Sequence, residues 1–159
     1  MFDMISFTVF SVFALFTSLI SLAVFLLNGY AFYKISKLRF LPYPWFTFIP
    51  FLSLYMQGLI ADSLKYRHPA LNAYLSEIPL AYALPFAAVI NNFTGFIPLI
   101  GGMVSLVLGL LLWAAQVMVY YFIFSQYAEE GQVLPFTLLS IIPLVGPILI
   151  LYSVRDHRA

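Results

Sequence analysis

Few side chains in this sequence can do acid–base, nucleophilic or ligating chemistry, and their spacing suits none of it well. The two histidines, His68 and His157, stand far apart with no His/Glu spacing for zinc. There is no cysteine, which removes disulfides, thiolate metal sites and thiol catalysis together. Ser11, Ser18 and Ser105 lie in apolar stretches with no His or Lys to activate them. Gly101-Gly102 lacks the Lys-Ser/Thr that would complete a phosphate loop. No metal, no cofactor and no enzymatic activity are expected. The one enzyme reading left is an activity on lipid, with Asp62, Glu77 or His68 at a membrane surface.

What remains are uncharged polar residues in apolar surroundings: Asn28, Gln57, Asn91, Asn92 and Gln116. Four of them, Asn91, Asn92, Gln57 and Gln116, are candidates for lining a ligand path. The competing role is hydrogen bonding between helices, worth about 0.6–2 kcal/mol in a membrane. Asn91 and Asn92 are adjacent, so on a helix they point about 100° apart and cannot both face one partner. Pro85 precedes them, and Thr94, Gly95 and Pro98 follow, a pattern that can break a helix and bare its carbonyls. Asp62 ends an apolar run and is a candidate interfacial acid, with Lys65 three residues on as its ordinary partner. Ser105 and Gly109, with Gly102 on much the same face, suggest close helix packing. The aromatics Tyr30, Tyr33, Trp45, Tyr120, Tyr121, Tyr127 and Tyr152 fit an interfacial belt.

The elements that position these residues are apolar helices. From 78 to 124 there is no Asp, Glu, Lys, Arg or His. The chain is 64% hydrophobic and 8% charged, and a water-soluble domain of 159 residues could not bury so much. Seven Lys and Arg against six Asp and Glu leave no charge bias toward nucleic acid. The expected fold is therefore all-α, a single polytopic transmembrane bundle over 1–159 with five spans at about 4–33, 45–61, 78–97, 103–127 and 134–152. The first span has an acid and no base before it, so it is expected to be a retained, tilted helix rather than a signal peptide. Pro42 and Pro44 break the chain before the second. The turn between the third and fourth is expected at Pro98-Leu99-Ile100-Gly101-Gly102, with Asn91–Gly95 as the rival.

The alternative is four spans plus a re-entrant 45–61. With five spans, Lys34, Lys37, Arg39, Arg155 and Arg158 are inside and Lys65 and Arg67 outside. With the re-entrant segment the first five basic residues are inside and Arg155 and Arg158 outside. Both give five against two, so the positive-inside rule does not choose between them. Both put the N-terminus outside; five spans put the C-terminus inside. Because lipid rejects unshielded non-helical backbone, five spans is the first expectation.

Two stretches carry a resemblance. Trp45-Phe46-Thr47-Phe48-Ile49-Pro50, continuing through Tyr55 to Gly58-Leu59-Ile60-Ala61-Asp62, resembles small bacterial multi-pass membrane proteins with a Trp-x3-Ile-Pro and Gly-x-Ile-Ala-Asp pattern. The part from Tyr127 to Arg155, with Ser140-Ile141-Ile142-Pro143 and a closing Arg155-Asp156, is similar to the same chains. The resemblance implies a bacterial cytoplasmic membrane and brings no activity with it. The expected function is a non-enzymatic accessory or interaction subunit, meeting the lipid bilayer and other membrane proteins or a second copy of itself. The alternative is a small transporter or channel with an amide-lined path.

Overall fold

The computed structural model describes residues 2–94 and 101–155, the side chains of 2–6 and 70–71 apart. The described chain is helical, with seven α-helices and no strand among the described residues: α1 (Phe2–Leu38), α2 (Leu52–Leu64), α3 (Pro69–Leu75), α4 (Leu80–Thr94), α5 (Gly101–Tyr127), α6 (Val133–Leu139) and α7 (Val145–Ser153). Two of them are long and apolar enough to cross a membrane, Phe7–Leu38 within α1 and all of α5. At 1.5 Å per residue α1 is about 55 Å long and α5 about 40 Å, against a hydrocarbon core of about 30 Å. Helix α4 is apolar but shorter, at 15 residues.

The expected turn is placed in part. Gly101 and Gly102 open α5 rather than precede it, and 95–100 lie outside the described residues. The rival turn is not formed at Asn91–Thr94, which stay helical with Pro85 accommodated inside α4.

Two of the expected single helices differ in form. Residues 45–61 do not make one rod. A 3-10 helix at Pro44–Phe48 leads to α2, and the ends of residues 39–64 come together, with Arg39 Nε donating to Ser63 Oγ at 2.7 Å and Nη2 to Ser63 O at 2.8 Å. The upward limb lies along α1, where Phe48 meets Tyr33 at 5.8 Å between ring centroids. Phe40, Tyr43 and Phe51 take positive φ values of 52°, 54° and 64°, two at the base and one at the tip of this first hairpin. Such backbone costs about 1–3 kcal/mol per residue and is what the sharp reversals demand. The prolines at 42, 44 and 50 supply the reason: they cannot continue a helix and leave the chain to bend.

Residues 134–152 likewise divide into α6 and α7, separated by a turn at Ser140–Leu144 where Pro143 interrupts. Phe136 meets Phe124 at 5.6 Å and Tyr152 at 6.3 Å, so both limbs of this second hairpin stand level with the C-terminal part of α5. At the end of α7, Val154 is fully buried in the same cluster as Ile35 of α1.

The core sits between the C-terminal halves of α1 and α5, α2, and α7: Phe32, Ile35, Ile60, Leu64, Val119, Phe122, Ile123, Phe124 and Ile150 are essentially inaccessible. The N-terminal half of α1 is bare, with Phe7, Phe10, Phe13 and Phe16 60–72% exposed. Basic charge is equally one-sided. Lys34, Lys37 and Arg39 close α1, Lys65 and Arg67 follow α2, Glu129 and Glu130 follow α5, and Arg155 follows α7. The contacts Arg39–Ser63 and His68–Ser125 tie these helix ends together, so every described Lys and Arg stands at one end of the bundle.

Candidate functional site

The two hairpins, α1 and α5 line a half-open chamber of about 610 Å³. Its polar wall comes from four places: Ser21 and Asn28 on α1, Ser53 and Gln57 on α2, Gln116 and Tyr120 on α5, and Ser140 at the tip of the second hairpin. The rest of the lining is aliphatic or aromatic, Trp113 included. The spacing on α5 explains its share, since Trp113, Gln116, Val117 and Tyr120 follow i, i+3, i+4 and i+7 and so form one stripe.

The hydrogen bonds inside the chamber are directional. Tyr120 Oη donates to Asn28 Oδ1 at 3.1 Å, crossing from α5 to α1. Ser140 Oγ donates to Thr137 O at 2.6 Å, which spends its proton and leaves its lone pairs. Gln57 is 97% buried, and its Oε1 has no hydrogen-bond partner. An unpaired buried acceptor costs about 1–3 kcal/mol, and this one is closed off by packed protein rather than open to the chamber. Tyr120 is held in place from behind by Gly146, where an added Cβ would come within 2.9 Å of its ring and hydroxyl.

Of the four path candidates, Gln57 and Gln116 line this chamber and Asn91 and Asn92 do not. Asn91 Oδ1 accepts from Ser105 Oγ at 3.0 Å, an α4–α5 contact. Asn92 is exposed and turns back on its own helix, its Nδ2 donating to Ala88 O at 2.8 Å. The adjacent amides do face different ways, but one is a helix tie and the other closes on α4 itself. Ser105 thus serves α4, while Gly102 and Gly109 meet nothing among the described residues within 4 Å of an added Cβ, so the expected close packing at the glycines is not formed with them.

Asp62 is not a free interfacial acid. Its Oδ1 and Oδ2 accept from the backbone N–H groups of Leu80 (3.1 Å) and Ala81 (3.0 Å), capping α4 from a neighbouring helix. Lys65 sits 2.9 Å from Asp62 Oδ1 and donates to Leu75 O and Ile78 O, each at 3.0 Å. Its three protons therefore have three acceptors, which is how an almost fully buried ammonium is tolerated here. Gly58 makes the approach possible, since a Cβ there would lie 2.3 Å from Leu80 O. The Gly58-x-x-x-Asp62-x-x-Lys65 spacing is one helix face seating the start of α4. His68 is also committed: it stacks on Phe122 with centroids 5.3 Å apart and hydrogen-bonds Ser125 Oγ at 2.8 Å. Glu77 is exposed, and His157 lies outside the described residues. Among the described residues no three His, Asp or Glu gather to hold a metal ion.

Sequence reasoning noted Asn28 without placing it with the path candidates, and it passed over Tyr120, Ser53 and Ser140 as chamber residues. The stripe on α5 was the available signal for Tyr120. Nothing in the sequence announces Ser53 or Ser140, which reach the chamber because their hairpins fold back. The chain matches no protein-family model, curated protein or solved structure.

Proposed function

We propose that the chain is a non-enzymatic multi-pass membrane protein with three crossings (α1, α4, α5) and two re-entrant hairpins, working as a small channel or transporter for an uncharged molecule held in the chamber. The crossings are supported by the length and apolarity of α1 and α5 and by their bare outer halves. The re-entrant hairpins are supported by the Arg39–Ser63 closure and by the divided α6–α7 pair. This arrangement puts every described Lys and Arg on one side, where the five-span and single-re-entrant arrangements split the basic residues. By the positive-inside rule that side is cytoplasmic and the N-terminus is outside. A bacterial cytoplasmic membrane follows from the sequence resemblance alone.

The observation that carries the function is the meeting of hairpin residues at a polar chamber. Asn28 stands 11 residues before Arg39, about 16 Å along α1 and so near half the depth of a 30 Å core. Irregular backbone at that depth is tolerated where protein or a cavity shields it, and ligand sites in transporters favour such breaks. No Asp, Glu, Lys, Arg or His lines the chamber, which favours an uncharged occupant. The test is thiol labelling of Gln57→Cys and Gln116→Cys by N-ethylmaleimide in membranes, with the core variant Met56→Cys as control. Labelling of the first two and not the third is expected. If all three stay unreactive, water does not enter and the channel or transporter role is lost.

A second function, the accessory subunit, has its own support. From Phe7 to Leu22 every side chain of α1 is exposed. Lipid, a second copy or another membrane protein would cover it. This role predicts co-purification of a membrane partner in mild detergent, and isolation as a lone monodisperse species speaks against it.

A further inference from the structure

The chamber is a cup rather than a passage. On each element that lines it, exposure falls toward the basic end of the bundle. Along α1, Ser21 is exposed, Asn28 half-buried and Phe32 inaccessible; along α5 the same series runs Trp113, Gln116 and Ile123. In the first hairpin Ser53 is half-buried while Gln57 and Ile60 are buried, and in the second Ile141 is exposed while Gly146 and Ile150 are buried. Ile20 lies about 28 Å along α1 from Arg39, and Trp113 about 24 Å along α5 from Glu129, near the far face of a 30 Å core. The mouth therefore opens away from the lysines and arginines, and the floor at Asn28, Gln57 and Tyr120 closes near half depth.

Below the floor the seal is aromatic. Tyr120 packs on Phe32 of α1 at 5.9 Å between ring centroids and on Phe124 at 6.1 Å. Phe124 meets Phe136 at 5.6 Å, Phe136 meets Tyr152 at 6.3 Å, and the Arg155 guanidinium lies 5.5 Å from the Tyr152 ring centre. One series of rings thus runs from the chamber floor to the basic end, and its last rungs, Phe136 and Tyr152, belong to the second hairpin. The two hairpins are fastened differently. The first is pinned by Arg39 to Ser63 and by Asp62 to the Leu80 and Ala81 amides. The second presents rings and Gly146 to α5, while its hydroxyls Thr137, Ser140 and Ser153 donate to carbonyls of the same hairpin. Rings can part without stranding a hydrogen-bonding group, whereas lifting the first hairpin would strand a charge.

We propose that the second hairpin is the gate of the chamber on its basic side. The site loads from the face opposite the basic end, and it empties toward the basic end only when Phe136 and Tyr152 swing away from Phe124 and Tyr120. This rests on the chamber being a ligand site and adds how access to it is controlled. It makes the chain a transporter with alternating access rather than an open channel, one hairpin rocking against a fixed remainder.

In the full-length, cysteine-free chain, Gln116→Cys reports on the chamber and Lys37→Cys, made separately, marks the basic face. Both are treated in right-side-out and in inverted vesicles with a membrane-impermeant cationic methanethiosulfonate. Gln116→Cys is expected to react from the face opposite Lys37→Cys and far more slowly from the basic face. Adding Phe136→Ala should raise the basic-face rate by about tenfold or more, the scale on which losing one aromatic contact shifts a two-state equilibrium. Tyr152→Ala, at a half-exposed ring, is expected to act alike and keeps the test sound if Phe136→Ala folds poorly. Phe48→Ala removes the first hairpin's ring from Tyr33 and should leave the basic-face rate unchanged. A parent Gln116→Cys that reacts equally from both faces, or faster from the basic one, overturns the seal. An unchanged basic-face rate in both second-hairpin variants, or an equal rise with Phe48→Ala, overturns the gate. With Gln116→Cys still labelled by N-ethylmaleimide, any of these failures removes only the gating; if it is unreactive toward both reagents, the chamber function itself falls.

Discussion

Substituting Gly58 by alanine probes the seam on which the first hairpin and α4 depend. The added methyl would lie 2.3 Å from Leu80 O and 2.5 Å from Ala81 Cα, and these are backbone atoms that cannot swing aside. Ordinary contact requires about 1 Å more, so α4 has to move outward as a body. That movement stretches the Asp62 bonds to Leu80 and Ala81 from 3.1 and 3.0 Å to beyond hydrogen-bond range. Overpacking costs about 1–3 kcal/mol, and losing a charge-assisted bond adds about 1.5–3 kcal/mol, for roughly 2.5–6 kcal/mol in all. The assay is thermal unfolding in mild detergent, where this corresponds to a fall on the order of 10 °C. Hydrogen exchange at the Leu80 and Ala81 amides should accelerate at the same time. Gly109→Ala is the control, since nothing stands within 4 Å of its new methyl, and no loss is expected. An unchanged melting temperature for Gly58→Ala, with both amides as protected as before, would refute the reasoning.

Other consequences are as specific. Lys65→Met leaves Leu75 O and Ile78 O without their donor and should cost about 3–5 kcal/mol, read as a lowered unfolding temperature; a neutral result would mean that water replaces the ammonium. Arg39→Ala unfastens the base of the first hairpin, and limited proteolysis is expected to open residues 39–51 first, whereas a digestion pattern like the wild type contradicts the closure. Phe40→Gly should be neutral or stabilising by about 1 kcal/mol, because Phe40 is 86% exposed at a φ of 52°; a clear drop in melting temperature would show that its ring matters more than its backbone. Tyr120→Phe removes the α5–α1 bond to Asn28 and should cost about 0.6–2 kcal/mol, again by unfolding temperature.

Composition made the helical class legible, because an uncharged stretch from 78 to 124 is long enough for two helical crossings of a hydrocarbon core. The prolines at 42, 44, 50 and 143 marked where helices stop. What they could not mark is direction: hydropathy reads the same whether a segment crosses or doubles back. The reversals at Phe51 and at Ser140–Leu144 are fixed by contacts distant in sequence, Arg39 with Ser63 and Phe136 with Phe124. The site shows the same limit. Gln57 and Gln116 stood out as amides in apolar surroundings, but so did Asn91 and Asn92, and only packing separates a chamber residue from a helix tie. Asp62 and Lys65 were legible as a pair at i, i+3. Their real task, seating α4, depends on Gly58 one turn earlier and on backbone groups of residues 75–81.

The most direct test of the three-crossing arrangement is sidedness. In the cysteine-free chain, Lys37→Cys, Ser76→Cys, Gln132→Cys and Arg155→Cys would each be labelled with a membrane-impermeant maleimide from either face. All four labelling from the cytoplasmic face, opposite an N-terminal tag, is the predicted result. Ser76→Cys and Gln132→Cys labelling from the outside would restore five spans, and Arg155→Cys alone doing so would leave one re-entrant hairpin instead of two.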